Sequence, residues 1–86
     1  SAHGARAIRR VSTNDVRKDM LLTIPGIGAQ MADKLLKECG SIEEMCFPES
    51  LKTVKGLGAK TREKVIQVLT SEEVVHIEAN RLKRID

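Results

Sequence analysis

The sequence predicts an all-α domain, and three observations carry that prediction. A glycine turn, "IPGIGAQ" at 24–30, returns nearly unchanged as "VKGLGAK" at 54–60. Behind each turn, apolar residues recur with helical spacing. No window alternates apolar and polar residues as a half-buried strand would. The 86 residues suffice for one small domain. Three parts are expected: a basic arm over 1–11, a compact domain over 12–70 and a helical extension over 71–86. The compact part should hold about five short helices, one of them a connector.

The arm carries Arg6, Arg9 and Arg10 and is ordered only if something holds it. The first helix is expected over 13–23. Ser12 followed three residues later by Asp15 resembles a capping box, and Val16, Met20 and Leu21 or Leu22 give an apolar side. Pro25 and Gly26 end it. A second helix follows Gly28. Its Ala32, Leu35, Leu36 and Cys39 mark one buried face, and Gly40 stands where a left-handed C-cap belongs. "SIEE" at 41–44 is a capping box for a short third helix, with Ile42, Met45 and Cys46 inward. Pro48 suits the first turn of a fourth, over 48–54, which presents Leu51 and Val54. The fifth runs from Ala59 to about Leu69, with Val65, Ile66 and Leu69 inward. Phe47 is expected in the core, with an anchor at a dimer interface as the alternative. After Ser71 the chain again reads as helix: Glu72 and Glu73 at the start and Arg81, Lys83 and Arg84 at the end complement the dipole, and Val75, Ala79 and Leu82 form a narrow stripe.

Composition narrows the function classes. A net charge of +3 permits an anionic partner without requiring one. Phe47 is the one aromatic residue, so base stacking on an aromatic platform is nearly excluded. Cys39 and Cys46 are too few for a disulfide framework and read as reduced core thiols of an intracellular protein. His3 and His76 stand far from them in sequence, which argues against zinc. No apolar run approaches a membrane span or a signal peptide. The expected location is intracellular, nuclear in a eukaryote and cytoplasmic in a prokaryote.

Shifting the chain by thirty positions aligns its halves. Ile24 meets Val54, Gly26 meets Gly56, Ile27 meets Leu57, Gly28 meets Gly58 and Ala29 meets Ala59. Lys34 meets Lys64, and Leu35 and Leu36 meet Val65 and Ile66. One helix–turn–helix unit is thus used twice. A two-helix unit has one apolar face and cannot bury it alone. Two units back to back, with Ile42, Met45 and Phe47 between them, bury both. The residue between the glycines, Ile27 or Leu57, should plug its own helix pair. The glycines should let the chain turn where a Cβ would clash, and leave amide N–H groups bare at the next helix's N-terminus. Such donors suit a phosphate oxygen.

The two turns, each followed by an amphipathic helix and joined by "GSIEEM", resemble a tandem helix-hairpin-helix domain. The likeness is greatest to the C-terminal DNA-binding domains of XPF-type structure-selective endonucleases and of the UvrC excision nuclease. It covers 24–70, and 12–23 by pattern. It implies two hairpins that straddle a minor groove and hold phosphates of both strands without reading bases. The binding role it implies falls on Gly26, Ile27, Gly28, Gly56, Leu57 and Gly58, and on the residues just after each hairpin: Ala29, Gln30 and Lys34 in the first half, Ala59, Lys60, Arg62 and Lys64 in the second, with Lys55 inside the second turn. Two departures stand out. The connector is a little short, and only the second hairpin is richly basic; the first offers Gln30 and Lys34, with Asp33 opposing. The second hairpin is therefore expected to be the stronger contact. Lys60 and Arg62 oppose the helix dipole, so stability alone does not favour them there.

"GLGAKT" is no P-loop, because its lysine does not follow the glycine directly and no strand precedes it. No catalytic set can be assembled and no cofactor is implied. The leading expectation is sequence-independent binding to duplex or junction DNA, as a non-catalytic module of a repair or recombination protein. The rival is an association module of the same fold, pairing with a like domain and binding DNA weakly.

Overall fold

A computed structural model describes residues 11–77. Among the described residues four α-helices and one 3₁₀ turn are formed: α1 (Thr13–Leu22), α2 (Ala29–Cys39), the 3₁₀ turn Glu44–Cys46, α3 (Pro48–Lys52) and α4 (Ala59–Thr70). Among the described residues there is no strand.

The caps follow from side-chain chemistry. Ser12 Oγ accepts from the Asp15 amide at 3.0 Å, and the Asp15 carboxylate accepts from the Ser12 amide at 3.3 Å, so the expected capping box forms. Gly40 ends α2 with φ +87° and returns its N–H to the Leu36 carbonyl at 3.1 Å. The third expected helix is reduced to the 3₁₀ turn. Ser41 Oγ accepts from the Glu44 amide, but the Glu44 carboxylate accepts from the Ser50 hydroxyl instead of closing a box. The cause is Pro48, which pushes Phe47 to an extended φ −105°, ψ 122° and leaves the turn no room to continue.

The core is built in pairs related by the thirty-residue shift. Leu21 and Leu51, Ile24 and Val54, Ile27 and Leu57, and Leu35 and Val65 are all buried. Met45 of the connector is fully buried among them, with Ile42, Leu36, Ile66 and Leu69 packed around. Every buried residue among those described is apolar. Helix α1 packs on α2, and α4 packs on α3 and the 3₁₀ turn, while α2 also meets α3. One pair breaks the rule. Ala32 is fully buried, whereas its counterpart Arg62 is half-exposed. The five residues of α3 cover less of α4 than the ten of α1 cover of α2, which leaves room for a long cationic side chain.

Four expectations are corrected. Phe47 is 54 % exposed rather than core, because it lies in the extended break where Met45 and Leu51 turn inward on either side. On α1 only Leu21 is fully buried; Val16 and Met20 line an open apolar groove with Ile42, Val68 and Leu69. The thiols of Cys39 and Cys46 are half-buried, each directed at a main-chain carbonyl, of Ser50 and Ile42 respectively. Residues 71–77 are not helical and are exposed. There Ser71 Oγ accepts from the Glu73 amide in a local turn rather than capping a helix. The β-branched Val74, Val75 and Ile77 have no core to pack on, and a short helix without tertiary support is marginal in water. The arginines of the arm, and Ala79, Arg81, Leu82, Lys83 and Arg84, lie outside the described residues.

Candidate nucleic-acid interface

Each hairpin is a pair of overlapping tight turns with the same hydrogen bonds. The Ile24 amide donates to the Leu21 carbonyl and the Ile27 amide to Ile24, both at 3.1 Å; Val54 donates to Leu51 at 3.1 Å and Leu57 to Val54 at 3.3 Å. Each following helix opens with an equivalent bond, Ala32 to Gly28 and Arg62 to Gly58, both 2.9 Å. Thr23 and Thr53 close the preceding helices by donating their hydroxyls to the Met20 and Ser50 carbonyls. This threonine pair obeys the repeat, so the thirty-residue shift could have revealed it.

The glycines divide into two kinds. Gly26 and Gly56 have φ +94° and +87°, where a Cβ is strained. Gly28 and Gly58 are extended, with φ −97° and −73°, and a Cβ on either would meet nothing within 4 Å. The expected clash therefore applies to the first glycine of each turn and not to the second. Gly28 and Gly58 are the N-caps of α2 and α4, and neither cap has a side-chain hydrogen bond. The amides of Gly28, Ala29 and Gln30, and of Gly58, Ala59 and Lys60, thus sit at helix N-termini that no side chain caps.

The hairpins also touch. A Cβ on Gly26 would lie 3.0 Å from Thr61 Oγ1 in α4, and one on Gly56 would lie 3.4 Å from Met31 Cε in α2. Thr61 and Met31 are equivalent positions, so each hairpin rests on the first turns of the other unit's helix. Sequence reasoning missed both residues, since they share no chemistry to mark them. Pro25 of the first hairpin and Lys60, Thr61, Glu63, Lys64 and Gln67 of α4 line one shallow depression.

The predicted site residues fall as follows. Gly26, Gly28, Ala29, Gln30, Lys55, Gly56, Gly58, Ala59 and Lys60 are exposed around the two turns. Ile27 and Leu57 are buried plugs, so only their main chain can meet a ligand. Arg62 and Lys64 are half-exposed on α4, and Lys64 Nζ donates to Gln67 Oε1 at 3.1 Å. Lys34 Nζ donates to the Lys55 main-chain carbonyl in the opposite hairpin. Asp33 is held by Lys18, with Nζ 3.0 Å from Oδ1, so the opposing charge on the first hairpin is paired. Lys18 lies in α1, ahead of the turn, and gave no sign of this in the sequence. Among the described residues no cluster of three or more His, Cys, Asp or Glu could hold a metal ion, and no helix is long and apolar enough to cross a membrane.

Residues 18–70, more than half of the chain, match the SAM-like helix-hairpin-helix tandem family. The chain belongs to this helix-hairpin-helix family. The matched span holds both hairpins and the connector, and the four helices with no strand among the described residues agree with it. The DNA polymerase/3'-5' exonuclease PolX of Bacillus subtilis (strain 168) is 37 % identical over 54 residues. That alignment spans 57 % of this chain and 10 % of the polymerase. No solved structure matches the chain.

Proposed function

We propose that this domain binds the phosphate backbone of duplex or junction DNA without reading sequence, as a non-catalytic module of a repair or recombination protein. One observation carries the reading: the fold needs no glycine at 28 or 58, yet both N-caps lack a side chain and leave helix N-termini bare. A cap residue such as serine would occupy those donors itself. An absent side chain lets an anionic oxygen approach the amides closely. Lys55, Lys60, Arg62 and Lys64 add charge around the second hairpin. The helix-hairpin-helix tandem, and a relative that by name is a DNA polymerase and exonuclease, support a DNA ligand. The XPF- and UvrC-type nucleases are the narrower assignment of the parent protein, supported by the paired turns and their connector. An intracellular location follows from that assignment.

The test separates binding from folding. Gly58→Ser should leave the melting temperature unchanged or slightly raised, since a serine cap is worth a few tenths of a kcal/mol over glycine. It should weaken binding to a short duplex several-fold, because the new hydroxyl competes for the amides. With roughly four to six phosphates neutralised, log K should fall against log salt with a slope of roughly −4 to −5. Exchanging the duplex sequence should change little. Unaltered affinity in Gly58→Ser, or marked preference for one sequence, would overturn the proposal.

A second reading has its own observation. The open groove of Val16, Met20, Ile42, Val68 and Leu69, together with exposed Phe47, offers apolar surface to a like domain. Sedimentation over a range of concentrations decides it. A monomer that binds duplex removes this reading, and a dimer that ignores DNA removes the first.

A further inference from the structure

Two lysines occupy equivalent places in the repeat, Lys34 in α2 and Lys64 in α4, and they bond differently. Lys64 stays within its own helix through Gln67. Lys34 reaches across the domain to the main-chain carbonyl of Lys55. Its Nζ also lies 3.8 Å from where a Cβ on Gly56 would stand. The Lys55 carbonyl and the Gly56 N–H are two ends of one rigid peptide plane, and in a trans peptide they point in opposite directions. Holding the carbonyl therefore fixes where the Gly56 N–H aims. The same bond draws electron density toward the carbonyl oxygen and makes that N–H a better donor. Glycine at φ +87° has a soft backbone that needs such a restraint.

We infer that Lys34 is a positioning residue: it clamps the 55–56 peptide so that the Gly56 amide of the second hairpin faces the bound phosphate, and it is not itself a phosphate contact. This rests on the DNA-binding reading and revises the role the sequence implied for Lys34. It makes the first unit a structural support for the second hairpin, which carries more of the charge. The counterpart bond, from Lys64 to the first hairpin, is absent, so the support runs one way.

The slope of affinity against salt separates a clamp from a contact. Lys34→Met keeps the aliphatic stem and removes the donor. In the ligand-free protein it should shift the Gly56 amide resonance and speed its hydrogen exchange. On a duplex it should weaken binding about ten-fold, the worth of a hydrogen bond to a charged donor. The salt slope should stay unchanged, whereas Lys60→Met should reduce its magnitude by about 0.9. Lys34→Arg, a cationic donor of similar reach, should recover most of the affinity. A slope reduced by about 0.9 in Lys34→Met would make Lys34 an ordinary phosphate contact and overturn the inference. So would an unmoved Gly56 resonance, which is read without DNA; if Lys34→Met melts too low for NMR, Lys34→Leu, which also lacks a donor, is read in the same way. Wild-type protein that fails to retain duplex would instead bring down the DNA reading.

Discussion

The two hairpins share a backbone and differ in what hangs from it. Their turn hydrogen bonds agree within 0.2 Å, and their positive-φ glycines differ by seven degrees, from +94° to +87°. Yet Gln30 stands where the second unit has Lys60, Ala32 where it has Arg62, and the first hairpin's acidic Asp33 is tied to Lys18. Shape is thus repeated while charge is concentrated on one side. The cost of changing shape should therefore be structural and shared, and the cost of changing charge should be functional and one-sided.

The largest effects should come from the positive-φ glycines. Alanine at either position pays about 1–2 kcal/mol for a left-handed backbone. At Gly56 the nearest neighbour is Met31 Cε, the far end of a pliant side chain, which can move aside. At Gly26 it is Thr61 Oγ1 at 3.0 Å, with Cγ2 at 3.3 Å and Cβ at 3.7 Å, so both branches of the threonine crowd the new methyl and no flexible tip can swing away. For a domain this small each kcal/mol moves the melting temperature by about 4–8 °C. Gly26→Ala should therefore melt several degrees below Gly56→Ala in a thermal scan. Equal melting temperatures would mean that the cross-hairpin contact at Thr61 carries no weight.

Much of this architecture was legible in the sequence because it is written in repeated apolar residues. Leu21 to Leu51, Ile24 to Val54 and Leu35 to Val65 pair in the core as the thirty-residue shift predicts. The turns and caps at Ser12, Gly40 and Pro48 were readable from local chemistry alone. What could not be read was three-dimensional. Phe47 looked like core because it is aromatic, but a backbone break turns it outward. Residues 71–77 had helix-start charges at Glu72 and Glu73, yet with Val74, Val75 and Ile77 exposed nothing holds a helix there. In the site, the glycines were legible as a pair and not as two kinds. Separating Gly26 from Gly28 needed φ values and the position of Thr61. The bonds from Lys34 to Lys55 and from Lys18 to Asp33 join residues 21 and 15 apart, and no local pattern encodes them.

The charge difference gives the next prediction. Lys60→Met with Arg62→Met should lower duplex affinity by one to two orders of magnitude at low salt and reduce the salt slope by about 1.8. Neither residue is in the core, so the melt should barely change. The converse change sharpens the comparison. Gln30→Lys gives the first hairpin the charge of the second and should steepen the slope by about 0.9 if that turn also lies against phosphate. A titration of Gln30→Lys with an unchanged slope would show that the first hairpin supports the second and does not touch DNA.

The smallest expected effect concerns the acidic residue beside the first hairpin. Lys18 and Asp33 form a surface pair at 3.0 Å, with side chains 35 % and 63 % exposed. Such a pair contributes at most about 1 kcal/mol to stability, so removing either partner should scarcely alter the melt. Its effect on binding should be larger than its effect on folding, because the pair cancels its own field near the turn. Asp33→Asn frees the Lys18 ammonium and should strengthen duplex binding about two- to three-fold at low salt, fading as the Debye length contracts toward about 8 Å at physiological ionic strength. Lys18→Met leaves Asp33 uncompensated and should weaken binding by a similar factor. The double variant should return to wild-type affinity, since it removes one charge of each sign. If instead Asp33→Asn and Lys18→Met both leave binding unchanged at low salt, the first hairpin lies beyond the reach of the phosphates, and the asymmetry between the two turns is complete.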